Sequence, residues 1–397
     1  MKQIPYGHHW LDEEDIAEVA KALRLDWITQ GPLVGVFEER VAALCGARFG
    51  VAFSSGTAAL HAACFAAGIG PGDEVITTPL TFVATANSIV YQGGVPVFAD
   101  IDPYDFNMDP EEIQRRITLR TKAILPVHFA GLPCRMESIY KIAKENHLWV
   151  IEDACHALGA QWKGSGQGRW EGIGSCSHSD MAVLSFHPVK QITTGEGGMC
   201  LTNREDLREK LESFRHHGIR RPAPSDGDAA EPWRYEMHDL GYNYRITDFQ
   251  CALGLKQLEK LDRFLKRRQE IAGAYTQAFA DLDLTPQRWD EQNTRHAWHL
   301  YVVQLPLESL SVDRKTIFRV LRDQGLGVHV HYLPVYSHPF YQKRFSYGEG
   351  HCPRAEAYYK KALTLPLFPG MSQEDVHRVI QTVRAVLEEK FSWKLVP

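Results

Sequence analysis

The chain has 397 residues, 44% hydrophobic and 23% charged, enough for two or three globular domains. A net charge of −5 leaves no electrostatic footprint for nucleic acid or an anionic membrane, and no apolar run reaches the ~18 residues of a spanning helix. The opening Met1-Lys-Gln-Ile-Pro-Tyr-Gly-His-His-Trp10 lacks the apolar core of a secretion signal, and eight scattered cysteines without a Cys-x-x-Cys argue against disulfides, zinc or an iron–sulfur cluster, which fits a cytoplasmic chain.

Residues 11–25 read as a first helix, with Asp12 as N-cap and Ile16, Val19, Ala20 and Leu23 as its apolar stripe. A break at Trp27-Ile-Thr-Gln-Gly-Pro32 leads to a second helix over 34–45, closed by Gly46. Then comes a strand–turn–helix, Phe49-Gly-Val-Ala-Phe53, Ser54-Ser-Gly-Thr57 and 58–67. Its hydroxyls and free helix N-terminal N–H groups form a phosphate cradle by mechanism, or an ordinary capped helix. Strands at 74–78, 95–99, 123–127 and 148–153 alternate with helices at 82–91, 109–117 and 136–146. This is an α/β pattern: a mostly parallel sheet covered by helices on both faces, with ligands expected at the carboxyl ends of its strands.

Asp153 closes one such strand. It reads either as a helix N-cap or as a carboxylate holding a cationic ring nitrogen. The five glycines between 164 and 174 form a loose loop that matches no dinucleotide fingerprint. The strand Met181-Ala-Val-Leu184 enters Ser185-Phe-His-Pro-Val-Lys-Gln-Ile-Thr-Thr-Gly-Glu-Gly-Gly198. A lysine just past a buried strand, flanked by apolar and backbone-permissive residues, is either an exposed loop side chain or a partly desolvated nucleophile toward aldehydes.

Residues 197–203 read as a strand returning along the sheet edge, 204–217 as a helix, and 218–234 as a surface loop. One long helix is expected from about 248 to 279, with the charged stretch 256–270 as its solvated face. A compositional shift places a domain boundary near 280, dividing a large domain (1–280) from a small α+β domain (281–397). The small domain carries strands at 297–305 and 327–332 and helices at 314–324, 354–363 and 373–391. His329 and His331 share one strand face; no third ligand stands at a readable spacing, which favours a ligand-facing edge over a metal site.

Six stretches together resemble the DegT/DnrJ/EryC1 family of sugar aminotransferases. They are Ser54-Ser-Gly-Thr-Ala-Ala-Leu60, Thr81-Phe-Val-Ala-Thr-Ala-Asn87, Glu152-Asp-Ala-Cys-His-Ala-Leu-Gly159, Ser185-Phe-His-Pro-Val-Lys190, Gly195-Glu-Gly-Gly198 and Gly241-Tyr-Asn-Tyr-Arg245. The resemblance runs over nearly the whole chain. It implies the type I aminotransferase fold and pyridoxal 5′-phosphate (PLP). It gives Lys190 the cofactor aldehyde and the proton transfers, and Asp153 the ring nitrogen. Phe82 is placed on the cofactor face and His156 on the other side or at the ring oxygen. Gly56, Thr57 and Ser185 hold the phosphate, with Asn243 reaching across from a partner subunit of a homodimer with shared active sites. Some relatives carry alanine at position 56, a difference expected to be harmless.

Tyr6, Trp27, Ile28, Thr29, His187, His329, Val330, His331 and Tyr332 match sugar-nucleotide positions. The opening Pro5-Tyr6, the Lys190 stretch and His329-Val-His-Tyr-Leu-Pro-Val-Tyr336 resemble the pseudaminic acid branch. That branch implies amino transfer from L-glutamate to C4 of a UDP-linked 4-keto-6-deoxy-N-acetylhexosamine. The alternatives are another 4-keto or 3-keto nucleotide sugar, and a non-catalytic PLP- or sugar-binding regulator. Dehydratase relatives carry histidine where this chain has Lys190.

Overall fold

Strands β1 (Phe49–Phe53), β2 (Glu74–Thr77), β3 (Val95–Phe98), β4 (Thr121–Leu125) and β5 (Trp149–Asp153) pair into one sheet. The computed structural model describes residues 3–164, 168–220 and 233–388. A hairpin of β6 (Gln161–Lys163) and β7 (Trp170–Gly172) intervenes, and β8 (Met181–Ser185) and β9 (Gly198–Thr202) then rejoin the sheet. The order is β1-β9-β8-β5-β4-β2-β3; β9 runs antiparallel to both neighbours and every other pair is parallel.

Two sequence expectations change here. The glycine-rich loop is framed by the β6–β7 hairpin. Strand β9 sits between β1 and β8, not at the edge: all five of its residues are buried, and both of its sides are hydrogen-bonded.

Successive strand residues face opposite ways, so both faces of the sheet are apolar. Ala52, Ile76, Ile124, Val150, Ala182 and Leu184 share one core with α2 (Pro32–Cys45) and α6 (Met136–Glu145). Val51, Phe53, Val75, Leu125, Ile151 and Val183 share the other with α3 (Gly56–Ala66), α4 (Val83–Tyr91) and α7 (Glu205–Arg215). Helix α1 (Glu13–Ala22) starts at the expected N-cap Asp12, which forms a capping box with Asp15, and α2 ends at Gly46 with φ 82°, a left-handed turn that glycine adopts without strain. Helix α5 (Pro110–Arg116) covers the expected position.

The single long helix is two, α8 (Asp248–Leu258) and α9 (Leu261–Ala278). At the break, the Lys260 ammonium contacts both Asp12 and Asp15 of α1. The charged stretch is therefore not all solvated: Lys260 and Arg268 are buried. Helix α9 also spans two cores, Leu261 and Phe264 packing below the large sheet and Ile271, Ala272 and Tyr275 joining a third core.

That third core lies under a small antiparallel sheet in which Tyr301–Gln304 pairs with both Thr285–Pro286 and Ala362–Leu365. Helices α10 (Arg314–Asp323), α11 (Pro339–Phe345), α12 (Pro353–Lys361) and α13 (Gln373–Leu387) complete the described chain. The strand expected at 297–305 begins only at Tyr301, because the N–H groups of Ala297 and His299 donate instead to the carbonyls of Gly131 and Ala130. Residues 327–332 form no strand; only His329 bridges to Thr364, while the Gly327 N–H donates to the Ile4 carbonyl. Residues 221–232 of the expected surface loop, and the end of the last expected helix beyond 388, lie outside the described residues.

Beneath the β4 and β5 ends, the carboxylate of buried Glu152 accepts from His128 Nε2, 2.8 Å away, and from the Ser179 hydroxyl. The Cys134 N–H donates to His128 Nδ1 (3.0 Å), so the ring proton sits on Nε2. Glu152→Ala strands two buried donors and is expected to lower unfolding free energy by about 3 kcal/mol, measured by urea titration.

Candidate active site

A cavity of about 500 Å³ opens at the carboxyl ends of β5 and β8, against the first turns of α3 and α4. At one end stand Ser55, Gly56 and Thr57. The Ser55 hydroxyl caps α3 by accepting from the Ala58 N–H (3.1 Å), while the first N–H groups of the helix have no carbonyl within it. Such an end attracts anions.

Two glycines allow the close approach. A methyl group on Gly198 would lie 2.4 Å from the Ser55 carbonyl oxygen and 2.6 Å from the Gly56 nitrogen. One on Gly56 would lie 2.9 Å from Ser185 Cβ, so alanine at 56 is not free of cost in this chain. Gly198→Ala is expected to displace the α3 N-terminus and weaken PLP binding roughly tenfold, read as Kd by titrating cofactor into apoprotein.

At the other end, Asp153 is the last residue of β5 and is buried. Thr85 Oγ1 donates to its Oδ2 (2.7 Å), Thr81 and Thr85 hydroxyls are themselves 2.7 Å apart, and the Cys155 N–H donates to Oδ1 (3.1 Å). Turns rather than a helix follow it, so the N-cap reading fails.

Lys190 lies on the turn after β8 and faces the same cavity as Asp153. Burial lowers its pKa. Negative charge at Cys155 and Asp153 would oppose that, and Arg268 adds to it. Burial also holds the Cys155 thiol well above its usual range, so that thiol is neutral and Asp153 is the operative anion. The outcome is an amine biased toward its nucleophilic form.

His156 is buried, and burial keeps its ring neutral, with the neighbouring Lys190 charge acting the same way. Its Nε2 is 3.4 Å from the Tyr332 hydroxyl, and its Nδ1 has no partner among the described residues. The His299 ring packs 4.2 Å from it. Phe82, 59% exposed, caps α4 at the cavity wall. Tyr6 packs 5.4 Å from the rings of His329 and His331, which are themselves 4.6 Å apart. His331 Nδ1 is 2.9 Å from the Thr364 hydroxyl. His187, Ser185 and Tyr332 also line the cavity.

Five expected site residues do not line it. Val330 packs instead against the apolar cluster that holds Phe129, Leu300 and Tyr336. Trp27, Ile28 and Thr29 lie on a different surface, where Thr29 bridges to Thr247, and Asn243 bridges to His216. Conversely, Thr85, Cys155, Glu196 and His299 line the cavity without having been singled out. The four-residue spacing of Thr81 and Thr85 on a helix start was the available signal for the first. His299 carried none, since it was read within a strand.

Comparison with protein families matches residues 9–384 to the DegT/DnrJ/EryC1/StrS aminotransferase family. The chain belongs to this family. It is 44% identical to the Bacillus subtilis spore coat polysaccharide biosynthesis protein SpsC over 97% of each chain. Among solved structures it is similar to Helicobacter pylori PseC, an aminotransferase of pseudaminic acid biosynthesis, with TM-score 0.88 and 32% identity, covering 98% of this chain and 100% of the other. Spr1654 of Streptococcus pneumoniae, solved in PLP, PMP and apo forms, matches at TM-score 0.88 and 28% identity in its PLP form, covering 98% and 100%.

The protein is therefore a PLP-dependent aminotransferase. Its cavity fits that cofactor: an anion-seeking helix end, a buried carboxylate at the far side, a desolvated amine between, and the unpartnered His156 Nδ1.

Proposed function

We propose that this aminotransferase moves an amino group from L-glutamate to C4 of a UDP-linked 4-keto-6-deoxy-N-acetylhexosamine in pseudaminic acid biosynthesis. The observation that carries this reading is the likeness to PseC along 98% of the chain. A second reading has its own support: the higher identity to SpsC favours another keto nucleotide sugar destined for a surface polysaccharide.

PLP supplies an aldehyde and an electron-accepting ring. In this reading Gly56, Thr57 and Ser185 would hold its phosphate, Asp153 would keep the ring nitrogen protonated, Phe82 would lie on one face, and His156 would stand on the other side or at the ring oxygen. Lys190 Nζ would take the proton from the donor's α-carbon and return it at the cofactor's C4′, which a desolvated amine can do in both directions. Tyr6, His187, His329, His331 and Tyr332 form the sugar-nucleotide side, with Val330 packed in the adjoining core. Trp27, Ile28, Thr29 and Asn243 lie outside their own chain's cavity and serve that of a second subunit in a homodimer. The exposed apolar side chains of Trp27, Ile28 and Tyr242 support burial there.

No helix among the described residues is long and apolar enough to cross a membrane. The deciding experiment is a panel of UDP- and dTDP-linked 4-keto and 3-keto sugars assayed with glutamate. Preference for the UDP-linked 4-keto-6-deoxy-N-acetylhexosamine supports the first reading; a higher kcat/KM on another member overturns it.

A further inference from the structure

Arg268, on α9, is fully buried, and among the described residues no carboxylate pairs with it. A guanidinium in the interior is costly unless its donors are used. Here both Nη groups go to backbone oxygens, while Nε has no partner among the described residues. Nη1 approaches the carbonyls of Trp298 (3.2 Å), His299 (3.3 Å) and Leu367 (3.2 Å), and Nη2 those of Val189 (3.4 Å) and Lys190 (3.3 Å). These five oxygens belong to three chain segments far apart in sequence. Only a planar fork with several donors reaches all of them; an ammonium does not.

We propose that Arg268 is the positioning residue of the active-site lysine: it ties the turn bearing Lys190 to the segments at His299 and Leu367, and its fixed charge disfavours a second positive charge on Lys190 Nζ. Burial lowers the Arg268 pKa to about 10, which still leaves it protonated near neutrality.

Other groups also face the lysine. From the end of β5 come Asp153, Cys155 and His156. Its own loop contributes His187 and Glu196, and the later segments contribute His299, His331 and Tyr332. Burial keeps His156, His299 and His331 neutral and Tyr332 protonated. Asp153 is therefore the near anion inside the cavity, with Glu196 on the loop, and Arg268 is the near cation that offsets them. A clamp acting by shape alone would hold the turn without altering when the lysine nitrogen takes a proton.

The inference rests on the reading that Lys190 carries the cofactor. The test is the pH midpoint of the bound cofactor's visible absorbance in holoenzyme. Removing a neighbouring positive charge favours the protonated nitrogen, so Arg268→Met and Arg268→Gln are expected to raise the midpoint by about one pH unit. Arg268→Lys keeps the charge and is expected to hold the parental midpoint with a lowered kcat. An unmoved midpoint in a folded uncharged variant overturns the proposal. If neither uncharged variant folds, a shifted midpoint or a parental kcat in Arg268→Lys overturns it, and a parental midpoint with a lowered kcat supports it. Lys190→Ala separates the two readings: titrating absorbance that persists there sinks the assignment of Lys190 itself.

Discussion

Lys190→Ala is expected to lower turnover by at least about 10³-fold while leaving the fold intact. The turn does not depend on the side chain: the Lys190 N–H donates to the His187 carbonyl, and its own carbonyl accepts from Arg268, and both are backbone groups that alanine retains. What is lost is the one amine among the described residues that line the cavity, the group able to attack an aldehyde and shuttle a proton. Steady-state kcat and circular dichroism check both halves. Partial recovery of turnover on adding a small primary amine would trace the loss to the missing base. A variant with near-parental kcat would contradict the account.

Asp153→Asn is expected to cost about 10²-fold or more in kcat, because it removes a preorganised charge from the site rather than a contact. The amide oxygen can still accept from the Cys155 N–H, and its NH2 can donate to Thr85 Oγ1, whose own proton turns to Thr81, so the local hydrogen bonds have replacements. It cannot keep a proton on a ring nitrogen. Thr85→Val, which leaves the charge and removes one hydrogen bond of 2.7 Å, should cost only about tenfold, near the value of one hydrogen bond to a charged group. Similar losses in the two variants would mean that orientation, not charge, is what Asp153 supplies.

The parallel sheet was legible because its strands are short apolar runs, buried on both faces and separated by capped helices. Lys190, Asp153 and the 54–57 turn were legible because each closes or follows such a strand. The residues around them were harder to read. Alternation of His and Val at 328–331 imitates a strand, yet His329 pairs with Thr364 and the preceding Gly327 with Ile4, partners about 35 and 325 residues away in sequence, which no local pattern reports. Arg268 sits in a run of charged residues that reads as a wet helix face. Its burial depends on carbonyls from residues 189–190, 298–299 and 367, segments far apart in sequence that only the tertiary fold brings together. Trp27–Thr29 and Asn243 carry motif resemblance but do not line their own chain's cavity, so no pattern within one chain reports what they would touch.

The account turns on which nitrogen receives the cofactor. Holoenzyme reduced with borohydride, digested and sequenced by mass spectrometry should carry a single pyridoxyl group, on the peptide containing Lys190. The group on any other lysine, or a Lys190 peptide recovered unmodified from fully loaded enzyme, would contradict it.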